Sequence, residues 1–169
     1  MIDKTVSPSP EFVISRVFEA PRELVWRAFT EADRLKHWWG PKGFKMIECR
    51  MDLRPGGTFV YGMRADGGFE MRARWTFRDI LAPETLNFDM SFIDLNGNPA
   101  RHPSSATWPM KMLSRVTFAD QDGKTLLTTR VTAINPTDVE RKTFEAGFES
   151  MKQGYGGTWD QLAAYLAKL

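Results

Sequence analysis

Cysteine is nearly absent. Cys49 stands alone, which excludes an internal disulfide and any metal cluster built on thiolates, and it reads as an inert buried thiol. Histidine is almost as scarce, with only His37 and His102. Asp33, His37 and His102 do not show the ligand spacing of a metal centre, so no metal is expected. His37 instead reads as a surface histidine placed to pair with Asp33 one helical turn back. An excess of one charge is also lacking. Twenty-three basic and 21 acidic residues leave +2, with no basic run of five, so neither nucleic acid nor an anionic membrane is an expected partner. No run of 18 apolar residues predicts a membrane span, and Met1 to Glu11 lacks the apolar core of a secretory signal. A reducing cytoplasm fits these absences. The glycine clusters are not phosphate cradles. Pro55-Gly56-Gly57 leads from one strand into another, and Gly154-Tyr155-Gly156-Gly157 lies inside a helical pattern. No catalytic residue and no cofactor is indicated.

Aromatic residues, by contrast, are abundant. Six Trp and twelve Phe need a large apolar core or a large apolar cavity. The length of 169 residues predicts one domain over 12–169 behind a loose tail at 1–11, burying roughly 70% of its unfolded surface.

The periodicity divides the chain. Phe12 to Glu19 reads as a strand. Pro21 opens a helix with Leu24, Val25, Ala28, Phe29, Ala32 and Leu35 on its buried side, and Thr30 with Asp33 is placed to cap a second short helix ending at Trp38-Trp39-Gly40-Pro41. From Phe44 the period falls to two, and six strands follow in hairpin succession. The residues of one parity are Phe59, Tyr61, Met63, Phe69, Met71, Ala73, Trp75, Phe77, Leu86, Phe88, Met90, Phe92, Met110, Met112, Ser114, Val116, Phe118, Leu127, Thr129 and Val131, and none is charged. Arg64, Arg72, Arg74, Arg78, Arg115 and Arg130 have the opposite parity and predict a solvated, basic-leaning outer face. Asp94 to Pro109, rich in Pro, Asn, Gly and Ser, interrupts the alternation as a long loop. It is either a simple insertion or a cover bringing Trp108 as a lid with His102 or Arg101 as a polar contact.

Thr137 to Leu169 reads as a single helix, opened by the capping box Thr137/Glu140. Phe144, Phe148, Met151, Tyr155, Trp159, Leu162 and Leu166 form its apolar stripe. Gly147, Gly154, Gly156 and Gly157 interrupt it, each costing about 1 kcal/mol relative to alanine, so a bend, a close approach or a void is expected there. At 1.5 Å per residue the helix spans about 50 Å, enough to cover the apolar face of the sheet. The predicted fold is α+β: a seven-stranded curved antiparallel sheet wrapped around a long C-terminal helix, with two short helices between strands 1 and 2.

The segments EAPRELVWRAFTEADRLKHWWGP, DLRPGGTFVYGMRADGG, FRDILAPETLNF, DGKTLLTTRVT and SMKQGYGGTWDQLAAYLAKL resemble the bacterial branch related to the activator of heat-shock-protein-90 ATPase. That branch belongs to the START and birch-pollen-allergen-like superfamily, the helix-grip fold. The resemblance implies a cavity between the long helix and the sheet that takes a hydrophobic small molecule such as a lipid, a steroid or a polyketide. The candidate ligand-binding set is then Trp39, Tyr61, Met63, Trp75, Phe77, Phe88, Met90, Trp108, Met112, Ser114, Thr129, Phe144, Phe148, Met151 and Tyr155. Two other readings stay open beside ligand binding. One is a cyclase or hydrolase on an apolar substrate, using His102, Tyr61 or Arg101, and the other is a chaperone-associated interaction protein. A homodimer is a further possibility, and so is a core whose aromatics leave no void.

Overall fold

The computed structural model describes residues 10–169. Most of the tail expected over 1–11 lies outside the described residues, and Glu11 already belongs to the first strand, opposite Thr132. In β1 (Glu11–Phe18) the alternation sends Phe12 and Phe18 inward and Val13 and Val17 outward. Pro21, with φ −65°, stops the strand and leads into α1 (Arg22–Thr30). A second short helix, α2 (Ala32–Leu35), follows without the expected cap. The Thr30 hydroxyl donates instead to the Trp26 carbonyl at 2.8 Å, as hydroxyls inside helices commonly do. Asp33 pairs with Lys36 at 3.4 Å rather than with His37, whose ring stacks on Tyr165 at 5.9 Å.

The strands β2 (Phe44–Met51), β3 (Thr58–Ala65), β4 (Glu70–Leu81), β5 (Thr85–Ile93), β6 (Pro99–Ala100), β7 (Met112–Gln121) and β8 (Lys124–Ala133) complete one antiparallel sheet. Its order is β1-β8-β7-β5-β4-β3-β2, with β6 paired to β5. The path holds the seven strands expected, and one more lies beside it. The extra strand is the two-residue β6, where the loop turns back so that Ala100 faces Phe92 and Pro99 faces Ile93. Asp94 closes that turn by accepting the N–H groups of Asn96 and Asn98. So short a strand, beginning with proline, carries no alternation to read. Register shifts at Met46/Glu48 and at Phe77/Asp79 are bulges that bend the sheet.

The inward parity holds along the strands, with two corrections. Met110 is a half-buried residue ahead of β7 rather than part of it. Phe69 precedes β4, is 44% exposed and meets Phe44 edge-on. Four of the six arginines expected on the outer face are charge-paired, Arg64 with Glu70, Arg72 with Glu48, Arg78 with Asp89 and Arg130 with Glu11, while Arg74 donates to the Gly97 carbonyl.

The C-terminal helix begins with the predicted capping box. Thr137 Oγ1 accepts the Glu140 N–H at 3.1 Å, and Glu140 Oε1 accepts the Thr137 N–H at 3.0 Å. It is not one helix, however. α3 (Asp138–Ala146) ends at Gly147, where φ is −89° and ψ is 1°, and α4 (Phe148–Leu166) begins beyond it. A Cβ on Gly147 would lie 2.7 Å from Trp108 Cζ3, so the break and the indole occupy one another's space. α4 itself runs uninterrupted through Gly154, Gly156 and Gly157. Its Trp159, Leu162 and Leu166 share one core with Phe18, Phe29 and Trp38.

Candidate functional site

Beyond Trp159, towards the break at Gly147, the concave face of the sheet and α4 do not meet completely. Two adjoining cavities lie there. The inner one, of about 180 Å³, is lined by Trp39, Tyr61, Trp75, Phe88, Met90, Phe92, His102, Trp108, Met112, Ser114, Val131, Met151 and Tyr155. The outer one, of about 200 Å³, shares Trp39, Tyr61, Met90, Phe92, Met151 and Tyr155 with it and adds Gly40, Pro41, Met63, Met71, Gly154 and Thr158.

Strand pairing builds the wall. Cross-strand neighbours Trp75 and Met90, Phe88 and Ser114, and Met90 and Met112 share one face. Phe88 stacks on Trp75 at 4.0 Å, and Trp39 meets Trp75 edge-on at 5.0 Å. The segment carrying Trp39 is held on both sides. Trp38 is buried and donates its indole N–H to the Ala28 carbonyl at 3.1 Å. From α4, Thr158 Oγ1 and Gln161 Nε2 donate to the Gly40 carbonyl at 3.1 and 2.6 Å. Gly40 has φ +113°, and a Cβ there would lie 2.4 Å from Met63 Sδ, so only glycine turns the chain at this point.

The loop after β5 closes the inner cavity. Arg101 donates to the Trp108 carbonyl at 3.2 Å and pairs with Glu140 of α3. Thr143 donates to Thr107 at 2.9 Å. Trp108 is thereby laid against Phe144, with centroids 5.5 Å apart. The Arg101 guanidinium, with the Thr137 N–H after it, holds the Glu140 carboxyl below its usual range. His102 lines the inner cavity between Phe92 and Trp108. Its Nδ1 accepts the Ser104 N–H at 2.9 Å, which puts the proton of the neutral ring on Nε2. Burial lowers its pKa, so the neutral form prevails at pH 7.

The remaining polar groups are hydroxyls. Burial pushes Tyr61 up to about 12, only partly offset by the Trp39 and Trp75 indoles beside it. Burial raises Tyr155 further, reinforced by Tyr61 and opposed by the Ser114 hydroxyl. Neither phenol is a base near neutral pH. Cys49 lies outside both linings, and burial raises its pKa as well.

Of the residues expected at a ligand site, Trp39, Tyr61, Trp75, Phe88, Met90, Trp108, Met112, Ser114, Met151 and Tyr155 line the inner cavity, and Met63 lines the outer. Four do not line either. Phe77 lies at the bulge in β4, deeper in the core beside Trp75 and Phe88. Thr129 is buried in β8 opposite Ile14 and Val116, with an unpartnered hydroxyl. Phe144 is covered by Trp108, and Phe148 turns to Phe12 and Phe144, because the break at Gly147 redirects the stripe. Arg101 faces Glu140 rather than the cavity. Phe92, Val131 and Met71 were marked by parity, but nothing in the sequence marks Gly40, Pro41 and Thr158. Their place depends on where α4 crosses the loop before β2. Among the described residues, no cluster of His, Cys, Asp and Glu is arranged to hold a metal ion, and no helix is long and apolar enough to cross a membrane.

The α4 glycines separate two effects. A Cβ on Gly154 or Gly156 would meet nothing within 4 Å, so close packing does not require either. Gly154→Ala with Gly156→Ala is expected to stabilise the protein by about 1 kcal/mol per site, read by calorimetry. Gly154→Ala alone narrows the outer cavity and reduces ligand uptake. Gly156→Ala, outside both linings, leaves uptake unchanged.

The same architecture recurs in known structures. The solution structure of an Arthrobacter aurescens protein matches with a TM-score of 0.78 and 26% identity, covering 100% of this chain and 92% of that one. The crystal structure of a Nitrosomonas europaea protein matches with a TM-score of 0.74 and 27% identity, covering 96% and 97%. A Mycobacterium smegmatis protein has a TM-score of 0.77 and 23% identity, covering 94% and 91%, a likeness of fold. No curated protein matches this chain. Residues 19–167 match the family described as activator of Hsp90 ATPase homolog 1-like protein, and with nearly its whole length matched this chain belongs to that family.

Proposed function

We propose that this protein binds one small, predominantly apolar molecule in the paired cavities between the sheet and α4. The observation that carries the reading is the lining: it contains no Lys, Arg, Asp or Glu, and its few polar groups are hydroxyls, indoles and one histidine. That is the composition of a ligand pocket with a small number of orienting groups. Its methionines, Met63, Met71, Met90, Met112 and Met151, allow the wall to adapt to shape. Catalysis draws less support. Of the groups it would use, Arg101 is committed to Glu140, Tyr61 stays protonated, and His102 is the one lining imidazole, its pKa lowered by burial. A chaperone contact is carried by the family description alone, whereas the interior cavity directs the reading to a small molecule.

Titration with naphthalene, followed by tryptophan fluorescence and thermal unfolding, tests the proposal. Trp39, Trp75 and Trp108 line the inner cavity, so a saturable change at one equivalent is expected. At a hundred times the dissociation constant the midpoint should rise by about 5–10 °C. A linear, unsaturable response with no thermal shift would remove the proposal.

A further inference from the structure

The inner cavity borders a further space. A groove of about 570 Å³ runs between the loop after β5 and the break that separates α3 from α4, and His102, Trp108 and Met151 line both. Beyond these three, the groove shows the side chains of Ser105, Thr143 and Ser150 and no charged residue. The polar groups of the inner wall are unequally engaged. The Trp39 and Trp75 indoles donate to Tyr61, and Ser114 is bonded to Tyr155. His102 differs. Its Nδ1 is taken by the Ser104 N–H, so the neutral ring carries its proton on Nε2. Among the described residues Nε2 has no partner, and it is not one of the side-chain atoms sealed away without one, so its surface is open. A ligand that fills the inner cavity covers this donor, and a covered donor without an acceptor is costly. Burial alone shifts the His102 pKa, with no contribution from a charged neighbour. Arg101, beside it in the loop, is held by Glu140 and the Trp108 carbonyl. An ionised ligand would lose its hydration and meet no counter-charge. The Trp108 N–H is the other donor left open where cavity and groove meet. The inner cavity, of about 180 Å³, somewhat exceeds the roughly 150 Å³ that admits a benzene ring.

We infer, resting on the proposal that these cavities bind a small molecule, that His102 orients an uncharged ligand by donating its Nε2–H to a carbonyl oxygen at the end facing the loop after β5. The apolar body of the ligand, about one ring in size, lies in the inner cavity against Trp75 and Phe88. Its polar end sits where that cavity meets the groove, away from the bonded phenols of Tyr61 and Tyr155.

Three probes of nearly one shape test this at pH 8, where His102 is neutral: acetophenone, α-methylstyrene with a methylene in place of the carbonyl oxygen, and ionised benzoate. On the unaltered protein acetophenone should bind at least about tenfold more tightly than benzoate. Its carbonyl stretch should move to lower frequency on binding. With only two histidines in the chain, nitrogen NMR can follow His102 Nε2, which should move with acetophenone well beyond its response to α-methylstyrene. His102→Asn keeps an acceptor for the Ser104 N–H and removes Nε2. It should cut acetophenone affinity about tenfold and change that of α-methylstyrene by less than about threefold. Trp108→Phe should weaken both neutral probes alike. An unshifted carbonyl, an Nε2 resonance that answers both neutral probes equally, or benzoate bound as tightly as acetophenone would overturn the inference. So would a His102→Asn protein that loses both neutral probes alike, or a Trp108→Phe protein that loses acetophenone alone, which would give the acceptor to the indole. The two spectra and the affinities on the unaltered protein decide the matter even where a variant fails to fold. If none of the three probes binds, the binding proposal falls as well; if they bind without these differences, only the inference does.

Discussion

Trp159→Ala is expected to destabilise the protein by about 3–5 kcal/mol, the range for removing a large aromatic from a packed core. For a chain of this length that corresponds to a fall of about 6–20 °C in the unfolding midpoint. Trp159 is 2% exposed. Its ring meets Phe18 at 6.2 Å, Phe29 at 5.8 Å, Trp38 at 6.2 Å, Trp39 at 6.5 Å and Tyr155 at 5.5 Å. It thus joins α4 to β1, α1 and the segment that carries Trp39. The loss is one of packing, because the Trp159 N–H has no partner to leave unsatisfied. Trp159→Phe should therefore cost much less than the alanine variant: it keeps most of the ring contacts and removes a buried donor that nothing accepts. Urea unfolding of both variants measures the difference. A cost below about 1 kcal/mol for Trp159→Ala would show that α4 is held chiefly by its polar contacts to Trp38 and Gly40.

How much of this was legible in the sequence differs from element to element, for physical reasons. Alternation sets the face of a strand residue, and a slip of one would invert it, so Tyr61, Trp75, Phe88, Met90, Met112 and Ser114 could be assigned to the concave side together. Alternation does not set depth along the strand. Phe77 has the same parity as Trp75 yet lies beneath the cavity, at a bulge that no pattern announces. The helix stripe was legible from Phe144 to Leu166, but its break was not. Gly147 is one of four glycines in the stripe, and it differs from the rest because Trp108, distant in sequence, fills the space beside it. His102 reaches the inner cavity because β6 anchors the loop after β5, and a two-residue pairing leaves no periodic trace. The resemblance to a family supplied the cavity itself; composition alone was equally consistent with a filled core.

Gly40→Ala is expected to act on both stability and binding. At φ +113° an L residue is strained, at a cost of about 1–3 kcal/mol, and its Cβ would arrive 2.4 Å from Met63 Sδ. Met63 must then leave the wall of the outer cavity, or the 38–40 segment must shift. A shift of the segment carries Trp39 with it and strains the bonds that Thr158 and Gln161 make to the Gly40 carbonyl. Either movement changes the site, so affinity for an apolar probe should fall about tenfold alongside the stability. Gly43→Ala provides the comparison. Gly43 also has a positive φ, +90°, but a Cβ there meets nothing within 4 Å and the residue lines neither cavity. It should show the backbone cost in urea unfolding and bind the probe normally. If both alanine variants lose stability equally and both retain affinity, the turn at Gly40 serves only the backbone. If Gly40→Ala alone loses affinity, the turn fixes where Trp39 stands in the cavity.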